Sequence, residues 1–141
     1  MPAISRQITL DAAPDSWPRA EAFLDDALQA CPTLPPKTAR QFTLAAEEAY
    51  VNVVQYAYAN AAPGTVTLRF DCELENRTLH LAIEDHGTPY NPLDRPDPDL
   101  HLDAAQRPIG GLGIFLVRKL MDRVEYARQN DTNCLLFWKN F

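Results

Sequence analysis

Residues 108–122 read PIGGLGIFLVRKLMD: three glycines within four positions, followed at once by an apolar helical pattern. The first N–H groups of a helix lack intrahelical partners and stand at the positive end of its dipole, so such a mouth attracts anions. Glycine lets a phosphate approach without a Cβ in the way. Gly110, Gly111 and Gly113 therefore read as an anion site or, alternatively, as a flexible hinge ahead of the helix. Two familiar phosphate motifs are excluded. No Gly-Lys-Ser/Thr follows, so this is not a P-loop; the Gly111, Gly113 register has Leu116 at its third place and no preceding strand, so it is not a Rossmann turn. The cluster belongs to another architecture.

Working outward, the glycine helix is expected to run to about Asp122, after which RVEYARQ (123–129) and NCLLFWKNF (133–141) form a hairpin across NDT. Before the glycines lie twenty residues, PYNPLDRPDPDLHLDAAQRP (89–108), with five of the chain's twelve prolines. Within one domain a stretch that long reads as a lid or a binding loop. Upstream, Val66, Leu68, Phe70 and Cys72, then Leu79, Leu81 and Ile83, alternate with polar residues on either side of ENR, the pattern of an antiparallel hairpin. Two helices precede it. The first has Asp15 or Ser16 as cap, Pro18 in its first turn and Trp17, Ala20, Leu24, Ala27, Leu28 and Cys31 at helical spacing. The second runs from about Thr38 to Tyr58 and carries Ala39, Phe42, Ala46, Ala49 and Val53. At the start, ISRQITL (4–10) alternates as an edge strand. The order β-α-α-β-β-loop-α-β-β predicts an α+β fold. It is a two-layer α/β sandwich, one mixed or mainly antiparallel sheet with helices packed on one face, in a single domain over 1–141.

A chain of 141 residues buries roughly two-thirds of its unfolded surface, enough for a real core. The composition, 46% hydrophobic and 23% charged, is that of a globular protein, and no apolar run approaches the ~20 residues of a membrane helix. No membrane contact is expected. MPAISRQITLDAAPDSW has neither an early basic cluster nor an apolar h-region, so no secretory signal is read and the expected compartment is the cytoplasm. Cys31, Cys72 and Cys134 are odd in number, widely spaced and set in apolar patterns; they read as reduced core thiols, not as a disulfide framework or a metal site. The net charge of −6 argues against nucleic-acid binding and for a protein or small-molecule partner.

Two further groups carry chemistry. Asp85 and Gly87 end the strand LHLAIED, where an acceptor-only carboxylate suits an exocyclic amine such as that of adenine, and the glycine leaves space for a flat ring. The same Asp-x-Gly also reads as a simple turn. On the second helix, Glu48 and Asn52 lie one turn apart with Gln55 nearly in line, a stripe that is either a wet face or a working one. An amide oxygen suits a Mg²⁺ that keeps several waters and bridges phosphates, and a carboxylate one turn away suits the activation of an attacking hydroxyl. Glu47 is about 100° away around the helix and is the poorer partner for Asn52.

In this order and spacing, EEAYVNVVQYAY (47–58), EDHGTPYNP (84–92) and GGLGIFLVRKLMDRVEY (110–126) resemble the N box and two glycine boxes of the GHKL, or histidine-kinase-like, ATPase superfamily. The likeness is nearest to the small bacterial anti-sigma regulatory factors that are serine/threonine protein kinases. It runs from about residue 38 to the C-terminus, and the first 37 residues fit by expected structure only. The resemblance implies a Bergerat-type ATP-binding fold with ATP and Mg²⁺ as cofactors. Carried over by residue, it makes Asn52 the Mg²⁺ ligand, Glu48 the general base, Asp85 the reader of the adenine amino group and Gly87 the space beside it. Thr88 supports the adenine contact directly or through water, Gly110, Gly111 and Gly113 hold phosphates, and residues 91–109 form the ATP lid.

By the same resemblance the protein is a partner switch. It sequesters a sigma factor or other regulatory protein in one state, phosphorylates a STAS-domain antagonist (an anti-anti-sigma protein) on serine in another, and forms a homodimer. One departure stands out: Tyr56 occupies the place where the family commonly has histidine, which alters any contact that histidine makes with phosphate. A nucleotide-sensing, protein-binding module without kinase activity is therefore the alternative. Arg107 and Arg95 are lid candidates for neutralising a γ-phosphate, with surface solvation as their other reading. His80, His86 and His101 stand in no helical dimerisation segment and no phosphoacceptor helix precedes the domain, so a complete histidine kinase is not expected.

Overall fold

The alternating runs become strands and the 3.6-period runs become helices in the computed structural model, which describes residues 4–59, 62–94 and 111–141. In chain order the elements are β1 (Ile4–Asp11), α1 (Trp17–Gln29), α2 (Pro36–Asn52), β2 (Thr65–Glu73), β3 (Thr78–Asp85), α3 (Gly111–Leu120), β4 (Arg123–Gln129) and β5 (Thr132–Asn140). A 3₁₀ turn at Pro14–Ser16 leads into α1. Ser16 holds the cap position there without making a side-chain cap bond. Pro36, whose missing N–H costs nothing at a first helical position, opens α2 two residues ahead of the expected Thr38. At its far end α2 does not continue regularly to Tyr58: it widens into a π turn over Val53–Ala57.

The sheet order is β1-β2-β3-β5-β4, and all four pairings are antiparallel. Connectivity accounts for this. Two helices between β1 and β2 return the chain to the end it left, so β2 runs against β1. One helix between β3 and β4 leaves those strands pointing the same way, and β5 inserts between them, so no parallel neighbours form. The β4–β5 turn is closed by Asn130 and Asp131, both with positive φ (51° and 60°), the conformation of a two-residue hairpin turn matched to strand twist.

The inward faces of β2 (Val66, Leu68, Phe70, Cys72) and β3 (Leu79, Leu81, Ile83) are buried together with Phe42, Ala45, Ala46 and Ala49 of α2. The small alanines let the helix approach the sheet, and Phe42 fills the space between, edge-on to Phe70 (5.8 Å between centroids) and Phe137 (5.5 Å). Phe42→Ala should therefore cost about 3–5 kcal/mol. Urea unfolding measures it, and a loss under about 1 kcal/mol would contradict this packing.

All three cysteines are free, but only Cys31 and Cys72 are core thiols. The pairing of Asn133 with Asp85 gives Asn133 the inward phase on β5, so Cys134 points to the opposite, less covered face and is half-buried. Burial, with the nearby Cys72, pushes the Cys31 thiol up to about 12; burial and the neighbouring Glu84 carboxylate push Cys134 to about 11. Both remain protonated at neutral pH and react slowly. No helix among the described residues is long and apolar enough to cross a membrane.

Candidate functional site

Three buried polar side chains occur among the described residues: Asn52 (7% exposed), Asp85 (5%) and Asn133 (4%). All three line one narrow pocket, about 30 Å³, closed by Ala49, Val53, Ala57, Ile83, Tyr90, Pro92, Tyr126 and Leu135. Burying polar groups is costly unless they are satisfied or meet a ligand. Their convergence marks a candidate site between the end of α2, the end of β3 and the last hairpin. A larger open groove, about 580 Å³, lies between α1 and α2 and contains none of them.

Each polar group is positioned by a backbone feature. Asp85 is the last residue of β3, and its Oδ1 accepts the Gly87 N–H and Asn133 Nδ2–H, both at 2.9 Å. Gly87 lies so close to the π turn that a Cβ there would overlap the Ala57 carbonyl, and the adjacent Thr88 N–H donates to that carbonyl at 2.9 Å. The requirement for glycine is thus packing against the end of α2, in addition to any space left for a ligand. The Thr88 hydroxyl, expected to support an adenine contact, belongs to an exposed side chain; it is the backbone of Thr88 that is engaged, its carbonyl accepting from Asn133 Nδ2 at 2.9 Å. Tyr58 completes the join. Its hydroxyl accepts the His86 N–H and donates to the Thr65 carbonyl, each at 2.8 Å. Arg128 Nη1 donates to the Gly87 carbonyl at 2.8 Å, so β4 also grips this loop.

Asn52 and Glu48 stand one turn apart on α2 as expected. The Asn52 amide donates to the Glu48 carbonyl at 3.5 Å, while its Oδ1 is buried with no hydrogen-bond partner among the described residues. An orphaned amide oxygen on a residue that lines the pocket fits a hydrated Mg²⁺. No group of three or more His, Cys, Asp or Glu side chains that would hold a metal by themselves occurs among the described residues, so phosphate oxygens and water would complete such a shell. Glu48 packs against the first turn of α3: a Cβ on Gly113 would lie 2.5 Å from Glu48 Oε2. Burial, and secondarily the Glu47 carboxylate, holds the Glu48 carboxyl above the usual glutamate range. Gly111 opens α3 as expected, whereas Gly110, Arg95, Arg107, His101 and the lid beyond Asp94 lie outside the described residues.

Tyr56, expected from the resemblance to replace a histidine, stacks on Tyr90 with centroids 5.0 Å apart and planes 23° from parallel. The residues that sequence reasoning missed are Asn133, Tyr126 and Tyr90. Asn133 had a signal: it shares the period-two phase of Leu135 and Phe137, so a polar side chain was due to point into the core.

The sequence profile of the histidine kinase-like ATPase domain matches residues 10–139. The chain is 35% identical over 95 residues to the serine/threonine-protein kinase BtrW of Bordetella bronchiseptica, an alignment covering 66% of this chain and 64% of that one. It is 31% identical over 86 residues to the serine-protein kinase RsbW of Listeria monocytogenes (58% and 54%) and 34% identical over 86 residues to that of Bacillus subtilis (57% and 52%). Each match spans less than two thirds of the relative's own length. Among solved structures, the histidine kinase domain of a blue-light activated histidine kinase from Erythrobacter litoralis superposes with a TM-score of 0.57. That match has 19% identity and covers 84% of this chain and 59% of that one; it speaks to the fold.

Proposed function

The chain belongs to the histidine kinase-like ATPase domain family, and from that premise we propose that it binds MgATP in the pocket between α2 and the sheet and transfers the γ-phosphoryl group to a protein serine. The observation that carries this reading is the convergence of Asn52, Asp85 and Asn133 on one pocket. Asp85 Oδ2 accepts the adenine amine, and Gly87 holds the loop against α2. Gly111 and Gly113, in the first turn of α3, receive the phosphates, and the sequence adds Gly110 to them. Asn52 Oδ1 holds Mg²⁺, which when bound neutralises phosphate charge. Glu48, with its raised pKa, accepts the proton of the attacking hydroxyl. At about 30 Å³ the pocket admits water but not a purine, so uptake requires it to widen.

The likeness to the kinases BtrW and RsbW supports a regulatory role. In it the protein sequesters a sigma factor or another regulatory protein in one state and phosphorylates a STAS-domain antagonist on serine in another. It would act in the cytoplasm, as a homodimer. The Tyr56–Tyr90 stack favours a second reading: with no imidazole at this position to meet phosphate, the domain senses nucleotide and binds its partner without transfer.

Calorimetric titration with ATP, with and without Mg²⁺, followed by mass spectrometry of a STAS-domain protein incubated with MgATP, separates these outcomes. Magnesium-assisted binding and a phosphoserine are expected. Binding without phosphoserine selects the sensing module, and no binding removes the nucleotide from the function.

A further inference from the structure

Asn133 lies directly across from Asp85 in the β3–β5 register, and Tyr126, two positions before Arg128, its partner on β4, reaches it diagonally. The amide's two ends are told apart by their neighbours. Nδ2 faces two groups that only accept, Asp85 Oδ1 and the Thr88 carbonyl, both at 2.9 Å; Oδ1 accepts the Tyr126 hydroxyl. With the Gly87 N–H also on Asp85 Oδ1, that oxygen has two donors, and the plane of the carboxylate is set. No hydrogen bond to Asp85 Oδ2 forms among the described residues, and Asp85 lines the pocket.

We propose that Asn133 and Tyr126 are positioning residues which, by fixing the Asp85 carboxylate, set the pocket's preference for a purine bearing a 6-amino group over one bearing an acceptor there. The inference rests on the nucleotide-binding reading above and adds to it a specificity relay running from β4 through β5 to β3. Without Asn133, Asp85 Oδ1 keeps only the Gly87 N–H, and the carboxylate turns freely enough to lose its discrimination. Without the Tyr126 hydroxyl, the amide loses the donor that orients it, and the effect is smaller.

The experiment titrates wild type, Asn133→Ala and Tyr126→Phe, each as the full chain, with ATP and with inosine triphosphate, whose carbonyl replaces the amine; thermal unfolding reports the fold. The readout is the ratio of the two dissociation constants. Asn133→Ala should reduce that ratio by about tenfold and Tyr126→Phe by about threefold, the range of one lost hydrogen bond. Equal weakening toward both nucleotides, with the ratio unchanged, would give Asn133 a merely structural role and overturn the proposal. If Asn133→Ala does not fold, the ratio of Tyr126→Phe, whose ring keeps its packing, decides alone. A wild type that binds neither nucleotide overturns the nucleotide reading and this inference with it.

Discussion

Replacing Asp85 by asparagine is expected to weaken ATP binding by at least about a hundredfold while the fold survives. The two carboxylate oxygens have different duties. Oδ1 holds the loop by accepting from the Gly87 N–H and Asn133 Nδ2, and an asparagine carbonyl oxygen does the same. The other oxygen, proposed to face the adenine amine, becomes an NH₂ group, so a donor meets a donor. A hydrogen bond to a charged acceptor, worth ~1.5–3 kcal/mol, is lost, and a buried amine left unpaired costs about 1–3 kcal/mol more. Together these correspond to a factor of ~10²–10⁴ in Kd. Calorimetry on the variant, with thermal unfolding beside it, measures both halves of the expectation. Affinity within about threefold of wild type would remove Asp85 from base recognition.

That Asp85 could be singled out from sequence, and Asn133 not, shows where local pattern carries information. Asp85 stands out through its setting: Asp-x-Gly after a strand reads as readily as a turn by itself, but here it falls between the Glu48–Asn52 stripe and the glycine cluster. Strand phase was equally plain: Val66 to Cys72 and Leu79 to Ile83 alternate without a break, and the register follows from burying them on one face. Asn133 sits within TNCLLFWKN, where the surrounding apolar residues mask its phase, and the same run makes Cys134 read as a core residue although it lies on the other face. The π turn at Val53–Ala57 had no local signal at all. Val-Val-Gln-Tyr-Ala continues a helix as readily as it widens one. What selects the wider turn is tertiary: the Ala57 carbonyl must meet the Thr88 N–H, and the rings of Tyr56 and Tyr58 must reach Tyr90 and the His86 backbone. The same holds for the contact of Glu48 with Gly113. Each motif was visible alone, and their touching across two helices is a product of packing.

Glutamine at position 48 is expected to stop phosphoryl transfer while ATP still binds. The substitution keeps the volume that rests against Gly113 and removes only the capacity to take a proton. Loss of a general base lowers such rates by about 10²–10⁴, and affinity for ATP should change less than about twofold. The pH dependence makes the test specific. Because burial and Glu47 raise the Glu48 pKa, the wild-type rate should fall with acidification from above the ordinary glutamate range, and this limb should be absent from the residual rate of Glu48→Gln. Stability moves with a defined sign. A carboxyl whose pKa is higher folded than unfolded binds its proton more tightly in the native state, so ionised Glu48 opposes folding at neutral pH and ceases to do so as pH falls through its folded pKa. Glu48→Gln should therefore unfold at a temperature equal to or above wild type at neutral pH, with the difference shrinking on acidification through that window. Transfer within about threefold of wild type would take Glu48 out of the mechanism, and an acid limb unchanged in the variant would assign the titration to another group.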